Sequence, residues 1–203
     1  MTTATAMRLG TMARALPALG AMAMLAGCLN FGGDPPERLF TLTPLNAAPA
    51  GSGTTGPAAA ALAVLEPQAP QRLTVTRVPV TVDESSVAYL KDAVWVERPA
   101  RLFQRLLAET IRARGNRLVL SADDLQYAAE TKLSGQLVDF GYDAATGSVV
   151  ARYDAVLQQP DGQVLTRRFE SVQPGIAAKA EAVGPALNRA ANQIAREVAD
   201  WIG

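Results

Sequence analysis

The stretch Val87-Ala88-Tyr89-Leu90-Lys91-Asp92-Ala93-Val94-Trp95-Val96-Glu97-Arg98-Pro99-Ala100-Arg101-Leu102-Phe103-Gln104-Arg105-Leu106-Leu107 changes its hydrophobic period at Pro99. Before the proline, β-branched and aromatic residues predict two short strands, Val87–Leu90 and Ala93–Val96, joined as a hairpin across Lys91-Asp92. After it, Leu102, Phe103, Leu106, Leu107 and Ile111 form an apolar stripe of helical spacing, with Arg101, Arg105, Glu109 and Arg112 outside it. Pro99 suits the first turn of that helix and Gly115 its C-terminal stop.

Downstream, Ala128–Tyr142 reads as a strand. Asp143 to Gly147 is a turn, and Val149–Gln158 alternates cleanly. Pro160-Asp161-Gly162 is a turn before a further strand, Val164–Val172. These three strands predict an antiparallel meander. A final amphipathic helix runs from about Lys179 to Ile202, with Pro185 as an alternative start. Val183, Leu187, Ile194, Val198 and Trp201 share one face of it. Upstream, Glu37–Thr43 predicts a strand stopped by Pro44, and Leu62–Leu65 a buried one. Arg72–Val82 predicts a strand whose phase slips near Arg77-Val78-Pro79, as at a bulge or on an edge. Arg117–Leu120 is a short strand. The fold class is therefore α/β: one mainly antiparallel, mixed sheet with two long amphipathic helices on one face. Residues 37–203 form a single domain, interrupted by an uncharged Ala/Gly/Pro-rich linker at 46–60.

Composition narrows the chemistry. The 203 residues carry 19 Lys+Arg and 19 Asp+Glu, so nothing draws the chain generally to nucleic acid. There is no histidine, which removes His-based triads and His metal sites. The single cysteine, Cys28, removes intrachain disulfides and Cys-cluster metal centres. No metal or cofactor is expected beyond a covalent lipid on Cys28.

Residues 1–27 read as a lipoprotein signal peptide. Arg8 and Arg14 precede a short apolar run, Ala15 to Ala26, which is too short for a membrane span of about 20 residues. All five methionines fall before Cys28. Leu25-Ala26-Gly27-Cys28 resembles the bacterial lipobox, which implies diacylglyceryl transfer to the Cys28 sulfur and cleavage before it. Several acyl chains hold a protein firmly on a bilayer where one does not. Residues 28–36 then form a lipidated tether. Leu29, where inner-membrane retention signals have Asp, implies outer-membrane export by resemblance to enterobacterial lipoproteins. Without Arg8 and Arg14 the mature chain has 17 basic and 19 acidic residues, a net charge of −2.

Other candidate sites weigh toward ordinary structure. Gly51-Ser52-Gly53-Thr54-Thr55-Gly56 matches a nucleotide-binding glycine pattern but lies in the linker with Pro57 behind it, outside the strand–helix context that pattern needs. Asp123-Asp124 with Glu130 reads as a solvated turn or cap. Ser85-Ser86 and Ser134-Gly135 lack any His or nucleophile-elbow context; the alternative is a Lys-based dyad, for which Lys91, Lys132 and Lys179 show no motif. Arg101, Arg105, Arg112, Arg114 and Arg117 either face anionic lipid or an acidic partner, or pair with Glu97 and Glu109; the balanced charge favours the pairs. Tyr89, Leu90 and Trp95 form the candidate interface, with the aromatic pair serving either as core or as docking anchors.

The lipobox, Arg38-Leu39-Phe40-Thr41-Leu42-Thr43-Pro44, Val78-Pro79 and the run Tyr89 to Pro99 entering a Leu-rich helix resemble the ABC-type transport auxiliary lipoproteins, the PqiC-like family. The resemblance implies a fold similar to the TolB N-terminal domain and a non-enzymatic role in an envelope lipid-transport system. It implies anchorage at the outer membrane facing the periplasm. It also implies partners: an MCE-domain protein, ABC transporter or permease components, and in some members a homo-oligomer. The competing class is a pilotin-like assembly lipoprotein for an outer-membrane complex.

Overall fold

A computed structural model describes residues 2, 38–120 and 128–203. Residues 38–120 and 128–203 belong to one folded unit. In chain order its elements are β1 (Leu62–Val64), β2 (Arg77–Thr81), β3 (Val87–Val94), α1 (Pro99–Arg112), β4 (Val119–Leu120), β5 (Thr131–Asp143), β6 (Ser148–Gln158), β7 (Val164–Gln173) and α2 (Ala180–Ile202). Single 3₁₀ turns occupy Ala58–Ala60 and Gln71–Leu73.

The 13-residue β5 organises the sheet. Along one edge it pairs antiparallel with β6 over its whole length, and β6 pairs with β7, giving the expected meander. Its other edge is shared. β1 runs parallel to residues 131–133 and carries β4 outside it, while β2 runs parallel to residues 142–143 and carries β3 outside it. The parallel pairs make the sheet mixed.

One face of the sheet and both helices enclose the core. The apolar positions read from α1 (Leu102, Phe103, Leu106, Leu107, Ile111) are all buried. So are the alternating residues Val149, Ala151, Tyr153, Ala155 and Leu157 of β6. Phe103 meets Tyr153 edge-on at 5.1 Å, and Phe169 of β7 meets Trp201 of α2 at 5.7 Å. α1 ends where Gly115, at φ 70°, donates its N–H to the Arg112 carbonyl at 3.0 Å. α2 starts at Ala180, five residues before Pro185. The proline forgoes only one early backbone bond there, and its ring is exposed.

Three expectations are corrected. Lys91-Asp92 does not turn a hairpin. Val87–Val94 is one strand, paired with β2, and Asp92 (φ 57°) sits in a bulge where the register slips between Arg77 and Pro79. A tight two-residue hairpin turn of the type expected needs φ > 0 at one or both central residues with strands that pair across it; here the partner strand is β2. The anticipated slip at Arg77-Pro79 is that same irregularity, but the strand begins only at Arg77. Glu37–Thr43 is not a sheet strand: within its described part only Phe40 makes a bridge, parallel to Trp95. Its continuation is held by α2 side chains. The Thr43 N–H donates to Asn188 Oδ1 (2.9 Å), the Leu45 N–H donates to Asn192 Oδ1 (2.8 Å), and Asn192 Nδ2 donates to the Thr43 carbonyl (2.9 Å).

Gly135 tests the meander. Its φ is 149°, and a Cβ there would lie 2.0 Å from the Asp154 carbonyl oxygen and 3.0 Å from the Tyr153 ring. Tyr153 closes over this spot, its hydroxyl donating to the Ser134 carbonyl at 2.7 Å. Gly135→Ala is expected to cost about 2–3 kcal/mol, from backbone strain plus displacement of a buried ring. Urea unfolding of the variant beside the parent reads this directly.

Candidate docking surface

The pleat of β3 separates the three residues singled out in its sequence. Tyr89 pairs with Pro79 and faces the solvent side of the sheet, half-buried, with the Arg77 guanidinium 5.0 Å from its ring centre. Leu90 turns inward and is buried. Trp95 is 2% exposed, 5.5 Å from both Phe40 and Phe140. Its Nε1 has no hydrogen-bond partner among the described residues. Leu90 and Trp95 belong to the core, so of the three Tyr89 is the one open to a partner.

The register carries Tyr89 into a row across five strands. Tyr89 stands beside Pro79, Gly141 beside Val150, and Val150 beside Val172. Pro79 closes the row against Gly141, where a Cβ would meet the Pro79 carbonyl oxygen at 2.5 Å. The glycine lets the strands approach and keeps the middle of the row low. Val172 at the β7 end is 46% exposed. The next rows are charged. Arg72 approaches Asp139 (3.6 Å) and donates Nη2 to the Val138 carbonyl, while Arg152 bridges Glu170. Arg168 then holds Asp154 with two hydrogen bonds of 2.6 and 2.7 Å. An apolar strip bordered by paired charges can dock a protein surface, with the strip supplying desolvation and the border supplying register.

These carboxylates titrate in opposite senses. The Arg168 hydrogen bond holds Asp154 below its ordinary value, the Thr146 hydroxyl does so for Asp143, and the Ser85 backbone N–H for Asp83. Desolvation pushes Asp139 up, against the pull of Arg72 and Arg152. A lowered folded pKa gives stability that is present above the unfolded value and lost as pH falls through the folded one. Asp139 does the reverse: its ionisation opposes folding above its raised value, and acid relieves that cost. The melting midpoint should therefore fall below about pH 4 as the three lowered groups protonate. Asp154→Asn should make that acid limb shallower. A pH series of thermal melts measures both.

The other marked residues fall in separate places. Arg101 and Arg105 both bridge Glu97, Arg112 bridges Glu109, and Arg114 bridges Asp200 at the far end of α2. The expected pairs to Glu97 and Glu109 are present, and Arg114 is drawn off to α2. Residues 51–56 lie in an exposed segment with no strand before them among the described residues. Ser85 hydrogen-bonds Asp83 in a turn. Cys28 and Asp123-Asp124 lie outside the described residues. Among those described, no three His, Cys, Asp or Glu side chains gather to hold a metal ion, and no helix is long and apolar enough to cross a membrane. The row on the outer face was not legible beforehand, because it exists only through the β2–β5 and β5–β6 registers. The Asn188/Asn192 clamp was missed because two polar residues on a helix read as solvated.

Comparison with known proteins places this architecture. The family model of the ABC-type transport auxiliary lipoprotein component matches residues 40–199, and the chain belongs to that family. Its fold is similar to that of protein XCC0632 from Xanthomonas campestris, of the DUF330 family, with a TM-score of 0.63 at 18% identity over 81% of this chain and 94% of that one. A second solved structure, described as an uncharacterized protein, gives a TM-score of 0.61 at 13% identity, covering 82% and 100%. No curated protein matches significantly by sequence.

Proposed function

We propose that this chain is a non-enzymatic auxiliary lipoprotein, anchored by lipid on Cys28 to the outer membrane and facing the periplasm. In this reading it serves an ABC/MCE-type intermembrane lipid transport system. The family match over residues 40–199 carries this reading, and Leu25-Ala26-Gly27-Cys28 supports the anchor. The protein's work is then to bind rather than to react. The row from Tyr89 to Val172 on the outer sheet face is the docking surface for the MCE-domain component of the transporter. A solvent face with a low apolar strip and satisfied charged borders supports that assignment, since docking needs apolar area without orphaned charges.

The test separates docking from folding. Tyr89→Ala should shift the melting midpoint by only a few degrees, because the ring is half-exposed. Combined with Val172→Glu, it should abolish complementation of a strain lacking the gene, as truncated hot spots cost about 2 kcal/mol or more of binding. Full complementation by the folded double variant would refute the docking assignment. Replacing Ser85, Ser86, Asp123 and Asp124 together by alanine should leave complementation intact; loss of activity in a folded variant would reopen an enzymatic role.

A further inference from the structure

The Phe40–Trp95 bridge turns both aromatic side chains into the core, and the residues beside it are left outside. The Phe40 N–H donates to the Val94 carbonyl at 2.7 Å and the Val96 N–H to the Phe40 carbonyl at 2.9 Å, so Leu39 and Val96 border the same short bridge. They are 52% and 46% exposed, two large apolar side chains left open to solvent. Just beyond them α1 begins. The side chains of Arg98, Arg101 and Arg105 are 53%, 52% and 57% exposed, and Arg38 is exposed beside Leu39. Their acidic partners are Glu66, bridged by Arg98 at 3.5 Å, and Glu97, shared by Arg101 and Arg105. Lys91 and Asp92 of the nearby bulge cancel. Four arginines against two glutamates leave this edge positive among the described residues, on a mature chain whose net charge is −2 (17 − 19).

We infer that this edge, with Leu39 and Val96 at its centre and Arg38, Arg98, Arg101 and Arg105 around them, is apposed to the anionic headgroups of the bilayer that carries the protein. The inference rests on the reading of Cys28 as the lipid anchor. Leu39 follows Cys28 by 11 residues (39 − 28). Fully extended, that chain reaches ~36–40 Å, and relaxed it averages ~18 Å. Among the exposed large apolar side chains of the described residues, Leu39 is the one closest in sequence to the anchor. Exposed branched side chains set among arginines suit the headgroup boundary: the apolar groups enter it, and the guanidiniums pair with lipid phosphates in place of their shared glutamates. The sheet row of Tyr89 to Val172 is a different face and stays available to a protein partner.

The test uses the full-length, lipidated protein in vesicles of phosphatidylethanolamine and phosphatidylglycerol. Cysteines are introduced singly as Leu39→Cys, Val96→Cys and, in the β6–β7 turn, Asp161→Cys. Each carries an environment-sensitive nitrobenzoxadiazole probe, the Cys28 sulfur being consumed by its lipid. Flotation reports anchoring independently of the probes, and thermal melts confirm folding. Brominated acyl chains should quench the probes at 39 and 96 at least about two-fold and leave the probe at 161 unchanged. Arg98→Glu with Arg101→Glu should cut the quenching at 39 while flotation persists. Floated protein whose three probes are equally unquenched would overturn the apposed edge and leave the anchor reading standing. Shielding of 39 and 96 only after addition of envelope proteins would overturn it in favour of a protein partner. Failure of the unmodified protein to float would overturn the anchor, and this inference with it.

Discussion

Trp95→Ala should destabilise the domain by about 3–5 kcal/mol, the range for removing a large aromatic side chain from a packed core. The indole is 2% exposed and links two layers, touching Phe140 of the central strand and Phe40 of the N-terminal segment at 5.5 Å each. Truncation leaves a cavity that neither neighbour can fill without giving up its own packing. Phe40 is constrained from behind as well: its ring edge lies 2.9 Å from where a Cβ on Gly184 would stand, so it packs closely against α2. Loss of Trp95 should also loosen the 38–45 segment, whose only bridge to the sheet is Phe40–Trp95. For a domain of this size the midpoint should drop by roughly 6–20 °C. No buried hydrogen bond is sacrificed, because the indole Nε1 has no partner among the described residues, so the loss is one of packing. A near-parental melt together with weakened partner binding would contradict the core placement and return Trp95 to the interface.

The second large effect concerns location. Cys28→Ser removes the sulfur that a lipobox cysteine needs for its thioether link to diacylglycerol. Each buried methylene contributes about 0.8 kcal/mol to membrane residence, so losing two or three acyl chains removes most of the anchor. The membrane-bound fraction of correctly processed protein should fall by more than about ten-fold. Intact mass keeps the result interpretable, since an uncleaved precursor retains the apolar run from Ala15 to Ala26 and could remain on membranes through it. A wild-type mass matching an unlipidated chain cut elsewhere would contradict the anchor. So would membrane partitioning that survives processing of the variant without lipid.

What could be read before the fold was known follows the range of the forces involved. α1, α2 and the β5–β6–β7 meander declare themselves locally: their apolar periods are long, and Pro160-Asp161-Gly162 punctuates the sheet. The misread elements are those whose local pattern does not name the partner. Glu37–Thr43 alternates like a strand, yet the backbone groups that follow Phe40 are claimed by Asn188 and Asn192, some 145 residues away. Val87–Leu90 and Ala93–Val96 read as a hairpin because a charged pair interrupts two β-rich runs, whereas pairing with β2 turns the interruption into a bulge. The candidate interface was half legible. Alternation alone puts Tyr89 and Leu90 on opposite faces, but which face meets the helices depends on the sheet register, and so does the row that joins Tyr89 to Val172. The anchor is read from residues 25–28 alone and owes nothing to the fold.

If this auxiliary lipoprotein works by binding transporter components, capture from native envelopes will retain them. Full-length protein with a C-terminal tag, expressed from its own locus and crosslinked in cells before detergent extraction, would be purified and its companions identified by mass spectrometry. An MCE-domain protein with its ABC permease or ATPase should be enriched, and that enrichment should be lost in the folded Tyr89→Ala/Val172→Glu variant. Enrichment of an outer-membrane secretin or pore instead, with no transporter component, would contradict it.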